Sequence, residues 1–137
     1  MKKKILIVED EKSLAETLAK WLDLEGFEVL KAHNGQEGLT VAFSTHPDLI
    51  LLDILMPVMD GNTMYSKLRE DSWGKSVPVI FLSNVTDAQG WASSLSDNDY
   101  LVKSSWTLED VMGVVKKKLG VAPKPISAKD NSFRVSS

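Results

Sequence analysis

Residues 5–11 read Ile5-Leu6-Ile7-Val8-Glu9-Asp10-Glu11, four apolar side chains running directly into three acidic ones. A strand with one wet face alternates apolar and polar residues. A continuous apolar run marks a strand buried on both faces, as in a parallel sheet covered by helices. The pattern returns at Asp48–Leu52, Val77–Leu82 and Tyr100–Val102, with a weaker run at Phe27–Leu30. Four of these runs end on polar groups: Glu9-Asp10, Asp53, Ser83-Asn84 and Lys103.

Helical patterns fill the gaps. Ser13 is the expected N-cap of a first helix that places Leu14, Leu18, Trp21 and Leu22 on one face and stops at Gly26. Gly35–Ser44 brings Leu39, Ala42 and Phe43 together, and Pro47 breaks the helical pattern beyond it. Asn62–Glu70 carries Met64, Tyr65 and Leu68, and Ala88–Ser96 carries only Trp91 and Leu95. Thr107–Leu119 has a stripe of Leu108, Val111, Val115 and Leu119, a Thr107…Asp110 pair resembling a capping box, and Lys116–Lys118 in its last turn, where cations complement the helix dipole. Five strand–helix alternations predict an α/β fold: a doubly wound five-stranded parallel sheet with helices on both faces. In such sheets ligands sit at the carboxyl ends of the strands, near the switch in strand order.

Composition narrows the function classes. The 137 residues fit one domain over 1–120, and the Pro-, Ser- and Lys-containing stretch 121–137 reads as a tail or linker. With no cysteine, disulfides, thiolate catalysis and Cys-based zinc sites are excluded, and two histidines do not make a His-rich metal site. A net charge of −3 argues against direct nucleic-acid binding. Met1-Lys2-Lys3-Lys4 is followed by too short an apolar run for a signal peptide, and no stretch is long enough to span a membrane, so a cytoplasmic location is expected.

In the expected fold the polar strand ends converge on one edge of the sheet. Glu9, Asp10 and Asp53 then supply three carboxylates, Ser83 a hydroxyl and Lys103 an ammonium. Adjacent carboxylates repel one another unless a cation intervenes. Mg²⁺ suits the set, because it takes oxygen ligands and is held by one or two carboxylates together with phosphate oxygens. Lys103 is a mobile positive charge and Ser83 a donor to an anion. Such a site suits a phosphoryl group carried on a carboxylate, with aspartate as nucleophile.

These residues resemble the receiver domain of two-component response regulators. The matching segments are Ile5–Glu11, Leu51-Leu-Asp-Ile-Leu-Met-Pro-Val-Met-Asp-Gly61, Val77-Pro-Val-Ile-Phe-Leu-Ser83 and Asp99-Tyr-Leu-Val-Lys103, within about residues 3–119. The resemblance implies a flavodoxin-like fold in which Asp53 takes a phosphoryl group from a histidine kinase or phosphotransfer protein. It implies that Asp10 binds Mg²⁺ directly, that Glu9 assists, and that the Leu55 backbone carbonyl is a further ligand. Ser83 and Lys103 would contact the phosphoryl group, Tyr100 would be the aromatic switch, and Pro57 and Gly61 would shape the loop after Asp53. The apolar Leu55 and Val85 stand where side chains tune loss of the phosphoryl group, which implies slow self-dephosphorylation. The downstream protein is not specified, and a homodimer formed on phosphorylation is compatible with the family.

Three departures stand out. Asn84 replaces a very small residue and narrows access to Asp53, Ser104 replaces a proline after Lys103, and Ser96-Asp97 replaces a Gly-Ala pair. They feed an alternative, a degenerate receiver that binds partners without phosphorylation. A phosphatase of the haloacid-dehalogenase type needs a second aspartate two residues after the nucleophile, and Leu55 stands there. The chain is thus expected to be a phosphoacceptor rather than an enzyme acting on other substrates. Taken alone, Glu9–Glu11 would be a solvated loop and Lys103 a surface lysine; their shared position at strand ends sets them apart. His33 and His46 fall in loops with no chemistry assigned. Too few residues follow Leu119 for an output domain, so action by protein–protein contact, or within a longer parent chain, is expected.

Overall fold

The computed structural model describes residues 2–83, 100–102 and 107–120, and at Ser83, Tyr100 and Val102 the backbone only. The element order is β1 (Lys4–Val8), α1 (Lys12–Leu24), β2 (Glu28–Ala32), α2 (Gly35–Thr45), β3 (Leu49–Asp53), α3 (Gly61–Glu70), β4 (Val79–Ser83), β5 (Tyr100–Val102) and α4 (Leu108–Leu119). Every strand pair is parallel and the order across the sheet is β2-β1-β3-β4-β5. Three apolar runs lie one or two residues out of register with the strands. β2 ends at Ala32, and β3 and β4 each extend to include the polar residue after the run.

The pleat sends alternate residues to opposite faces, and each face is covered. Ile5, Ile7, Leu49, Leu51, Ile80 and Leu82 pack with residues of α1 and α4. Leu6, Val8, Ile50, Leu52, Val79 and Phe81 pack with residues of α2 and α3. With apolar side chains required on both sides, the interior strands read as unbroken hydrophobic runs. β2 lies at an edge, and only Ala32 of its five residues is fully buried, which explains its weaker pattern. Burying one Leu or Ile contributes about 2 kcal/mol, so the fully buried residues of β1 and β3 fix the centre of the sheet.

Two helix expectations need correction. Ser13 lies inside α1; Glu11 occupies the N-cap position without a side-chain cap bond, while Ser13 Oγ is 3.5 Å from Glu11 Oε2. Trp21 does not share the buried face. Ala15, Leu18 and Leu22 are buried, and Trp21 is among the exposed large apolar residues. The 3.6-residue period places position 15 on the inner stripe beside 18 and 22, and small Ala15 fits there against the sheet. Phe43, expected beside Leu39 and Ala42, is also exposed and meets Trp73 edge-on with ring centroids 6.3 Å apart. The capping box of α4 is complete: Asp110 N donates to Thr107 Oγ1 at 3.1 Å and Thr107 N to Asp110 Oδ2 at 2.8 Å. The helix expected over Ala88–Ser96 and the tail 121–137 lie outside the described residues.

Among the described residues, no helix is long and apolar enough to cross a membrane.

Candidate functional site

From β1 the chain crosses to β2 on one side, whereas β3 lies on the other side of β1. The segments leaving the carboxyl ends of β1 and β3 therefore diverge and leave a crevice between them. Register puts the acidic residues there. Val8 pairs with Leu52 in the parallel ladder, so Glu9 and Asp53 leave their strands at the same level. Glu9 stays tied to the sheet through its backbone N–H, which donates to the Ala32 carbonyl at 3.0 Å. Its Oε2 accepts from the Glu11 N–H at 3.0 Å, which fixes the side chain at the turn into α1.

One carboxylate oxygen from each of Glu9, Asp10 and Asp53 lies within 4.8 Å of the others. Glu9 is fully buried and Asp53 is 3% exposed, while Asp10 faces solvent. Three carboxylates this close, two of them out of water, are a donor set for a hard divalent cation: all-oxygen, anionic and open on the Asp10 side. The residues present thus fit Mg²⁺. The structure brings together the three carboxylates that the sequence placed at the strand ends.

The segment between β3 and α3 forms the other wall. Ile54 is buried and its N–H donates to the Leu82 carbonyl at 3.2 Å. Gly61 N–H returns to the Ile54 carbonyl at 2.7 Å, which closes the loop over itself. A Cβ at Gly61 would lie 2.2 Å from the Asp53 carbonyl oxygen, so the close approach requires glycine. Asp60 caps α3 by accepting from the Thr63 N–H at 2.8 Å. At the tip, Met59 N–H bonds the Pro57 carbonyl at 2.7 Å around Val58 at φ 70°, a positive-φ γ-turn centred on a β-branched residue. The Leu55 side chain projects outward and is 57% exposed.

Ser83 ends β4 and pairs with Val102, one step beyond the Asp53–Leu82 pair, so its backbone lies beside the acidic crevice. Tyr100 starts β5 opposite Phe81. The side chains of Ser83 and Tyr100, and all of Asn84, Val85, Lys103 and Ser104, lie outside the described residues. His46 ends α2 in the left-handed region and stacks on Trp73, with ring centroids 4.3 Å apart. One contact was not read from the sequence. The Gly35 N–H at the start of α2 donates to the Met59 carbonyl at 2.9 Å. The contact runs from backbone to backbone, so no side-chain pattern marks it in the sequence.

The family profile described as the response regulator receiver domain matches residues 5–116. A curated relative from Cyanophora paradoxa, "Probable transcriptional regulator ycf27", is 38% identical over 104 residues, covering 74% of this chain and 42% of the relative. The chain thus spans less than half the length of that relative. Among solved structures, the response regulator protein TrrA from Thermotoga maritima, in complex with Mg²⁺-BeF, superposes with a TM-score of 0.75 at 35% identity, covering 85% of this chain and 99% of that one. Chemotaxis response regulator CheY4 of Vibrio cholerae superposes with a TM-score of 0.77 at 27% identity, covering 87% of this chain and 100% of its own. With a flavodoxin-like parallel sheet, acidic residues gathered at the switch in its strand order and a family match across 5–116, this chain belongs to the response regulator receiver domains of two-component signalling.

Proposed function

We propose that the chain is a phosphorylatable receiver in which Asp53 accepts the phosphoryl group. The observation that carries this reading is the clustering of carboxylate oxygens from Glu9, Asp10 and Asp53 within 4.8 Å at the ends of β1 and β3. Glu9, Asp10, Asp53 and the Leu55 carbonyl would hold Mg²⁺. When bound, the ion offsets their like charge and the charge of the incoming phosphoryl oxygens. An Asp53 carboxylate oxygen attacks phosphorus, and the bond from phosphorus to the donor's histidine nitrogen breaks, leaving an acyl phosphate on the chain. Burial of Asp53 among β3 and its neighbours orients the carboxylate and limits competing water. Lys103 would pair with the phosphoryl oxygens and Ser83 would donate to one of them; Tyr100 would report that contact by changing rotamer.

On the same reading the fold is a doubly wound five-stranded α/β sheet. The chain acts on no substrate other than its own donor. Its partners are a histidine kinase or phosphotransfer protein upstream and a protein target downstream, in the cytoplasm, with a homodimer as one form the phosphorylated chain can take. Relatives named as transcriptional regulators support control of gene expression as the readout, through parts outside this chain.

Incubation with acetyl phosphate and Mg²⁺, followed by intact mass, tests the proposal. The unsubstituted chain gains the mass of one phosphoryl group and Asp53→Asn gains none. If neither acetyl phosphate nor a panel of phosphorylated histidine kinases labels the chain, the degenerate receiver suggested by Asn84 replaces this reading.

A further inference from the structure

We propose that Gly35 is a positioning residue for the acidic site. Its backbone N–H, the first donor of α2, holds the Met59 carbonyl and thereby fixes the loop that presents the Leu55 carbonyl beside Asp53. This inference rests on the reading of that carbonyl as a metal ligand.

In the loop 54–60, Met56 and Met59 are half-buried and pack against the core on the α2 and α3 side, while two other side chains face solvent. Leu55 is 57% exposed and Val58 is 82% exposed. Backbone bonds add to that packing. Ile54 N–H goes to Leu82 and Gly61 N–H to Ile54, both at the base of the loop, while Met59 N–H to Pro57 is internal to the tip. The tip also carries strain, because a β-branched residue at φ 70° is disfavoured by about 1–3 kcal/mol and persists only where its surroundings hold it. Among the described residues, the bond from Gly35 N–H to the Met59 carbonyl, at 2.9 Å, is the backbone tie from this tip to a different helix.

The anchor itself is rigid. The first four N–H groups of a helix have no partner within it. In α2 the Glu37 N–H is taken by Asn34 Oδ1 at 2.8 Å, and Glu37 Oε1 accepts from the His33 N–H at 2.6 Å, so the helix start is fixed from both directions. Gly35 turns its own spare donor on the loop. The absence of a side chain is what allows the approach: a Cβ at Gly35 would lie 2.5 Å from the Met59 carbonyl oxygen and 2.9 Å from Met59 Cγ. The backbone of Gly35 is not in the positive-φ region, so conformation alone does not demand glycine there. In a helix that glycine is disfavoured relative to alanine. The contact accounts for its presence.

The test compares Gly35→Ala with Gly38→Ala by Mg²⁺ titration calorimetry on the folded, unphosphorylated chain. Gly38 is a control on the same helix, where a new Cβ meets the flexible end of Met64 at 2.8 Å and Val8 Cγ1 at 3.0 Å, and not the loop. Gly35→Ala should weaken Mg²⁺ binding about tenfold, the range seen when outer-shell supports of metal ligands are removed. Gly38→Ala should leave binding within about twofold while lowering thermal stability. Equal Mg²⁺ affinity for Gly35→Ala and the unsubstituted chain overturns the inference and leaves the phosphoacceptor reading standing. Failure of the unsubstituted chain to bind Mg²⁺ at all overturns both. Should Gly35→Ala not fold, amide hydrogen exchange on the unsubstituted chain decides: exchange at Gly35 slows on adding Mg²⁺ if the latch is part of the site, and unchanged exchange overturns it.

Discussion

Glu9 and Asp53 leave neighbouring parallel strands at the same level and bring carboxylate oxygens within 4.8 Å of each other, although both residues are buried. At that separation, with an effective dielectric of about 20, two like charges repel by about 3 kcal/mol. A cation bound between them, or loss of one charge, relieves whatever part of this the other groups at Glu9 and Asp53 leave uncompensated. The chain should therefore be stabilised by Mg²⁺. At roughly a hundred times Kd the gain is about 2.7 kcal/mol, a rise in Tm of roughly 10 °C that EDTA reverses. Asp53→Asn should raise the Tm of the metal-free chain, by about 1 kcal/mol in stability, and lose most of the Mg²⁺ response. A metal-free Asp53→Asn protein that melts lower would contradict this account. Differential scanning calorimetry with and without Mg²⁺ makes both measurements.

The acidic pair was legible in the sequence because the parallel sheet writes its interior strands as unbroken apolar runs, so a charged residue at a run's end marks the rim of the sheet. Glu9, Asp10 and Asp53 could be placed together for that reason alone. Helix ends were read less well. Ser13 has the side chain of a cap, yet α1 starts a residue earlier at Lys12, because packing of Ala15, Leu18 and Leu22 on the sheet sets the phase of the helix. Trp21 and Phe43 show the same limit: an aromatic side chain looks like core, but their positions point away from it. The Gly35–Met59 contact joins residues 24 apart through bare backbone, which leaves no side-chain pattern to read.

Val58→Gly should stabilise the chain. Val58 is 82% exposed, so little packing is lost, and its φ of 70° is costly for a β-branched residue. Relief of about 1–3 kcal/mol is set against about 1 kcal/mol of extra chain entropy for glycine. The expected net effect is a gain of about 1 kcal/mol in urea unfolding, read as a higher midpoint at unchanged slope. A loss of stability would mean that the Val58 side chain makes contacts worth more than the strain.

Two glycine substitutions should move in opposite directions. Gly74 lies in the turn after α3, where its N–H and that of Trp73 both donate to Asp71 Oδ2 at 2.9 Å. A Cβ there would stand 2.0 Å from the Leu68 carbonyl oxygen, which is backbone and does not yield cheaply. Gly74→Ala is expected to lose about 2–3 kcal/mol. Gly113 sits in the interior of α4, is exposed, and has nothing within 4 Å of a new Cβ. Gly113→Ala should gain up to about 1 kcal/mol from helix propensity. Thermal melts of the two variants beside the unsubstituted chain check the signs.

If Asp53 takes the phosphoryl group as proposed, the persistence of that state depends on what can present water to the acyl phosphate. Leu55 projects from the loop wall of the site with an apolar, 57% exposed side chain and has no atom able to orient or deprotonate water. A positioned acid–base group at such a place contributes about 10²–10⁴-fold, so its absence favours a long-lived phosphoryl group. The phosphorylated chain should decay over minutes or longer in Mg²⁺, followed by intact mass after the donor is removed. Leu55→Gln introduces an amide that can orient water by hydrogen bonding and should speed the decay about tenfold, while urea unfolding shows little change because the native side chain is mostly in solvent. Decay within seconds in the unsubstituted chain would show that another group supplies the water, and unchanged decay in Leu55→Gln would remove Leu55 from control of the lifetime.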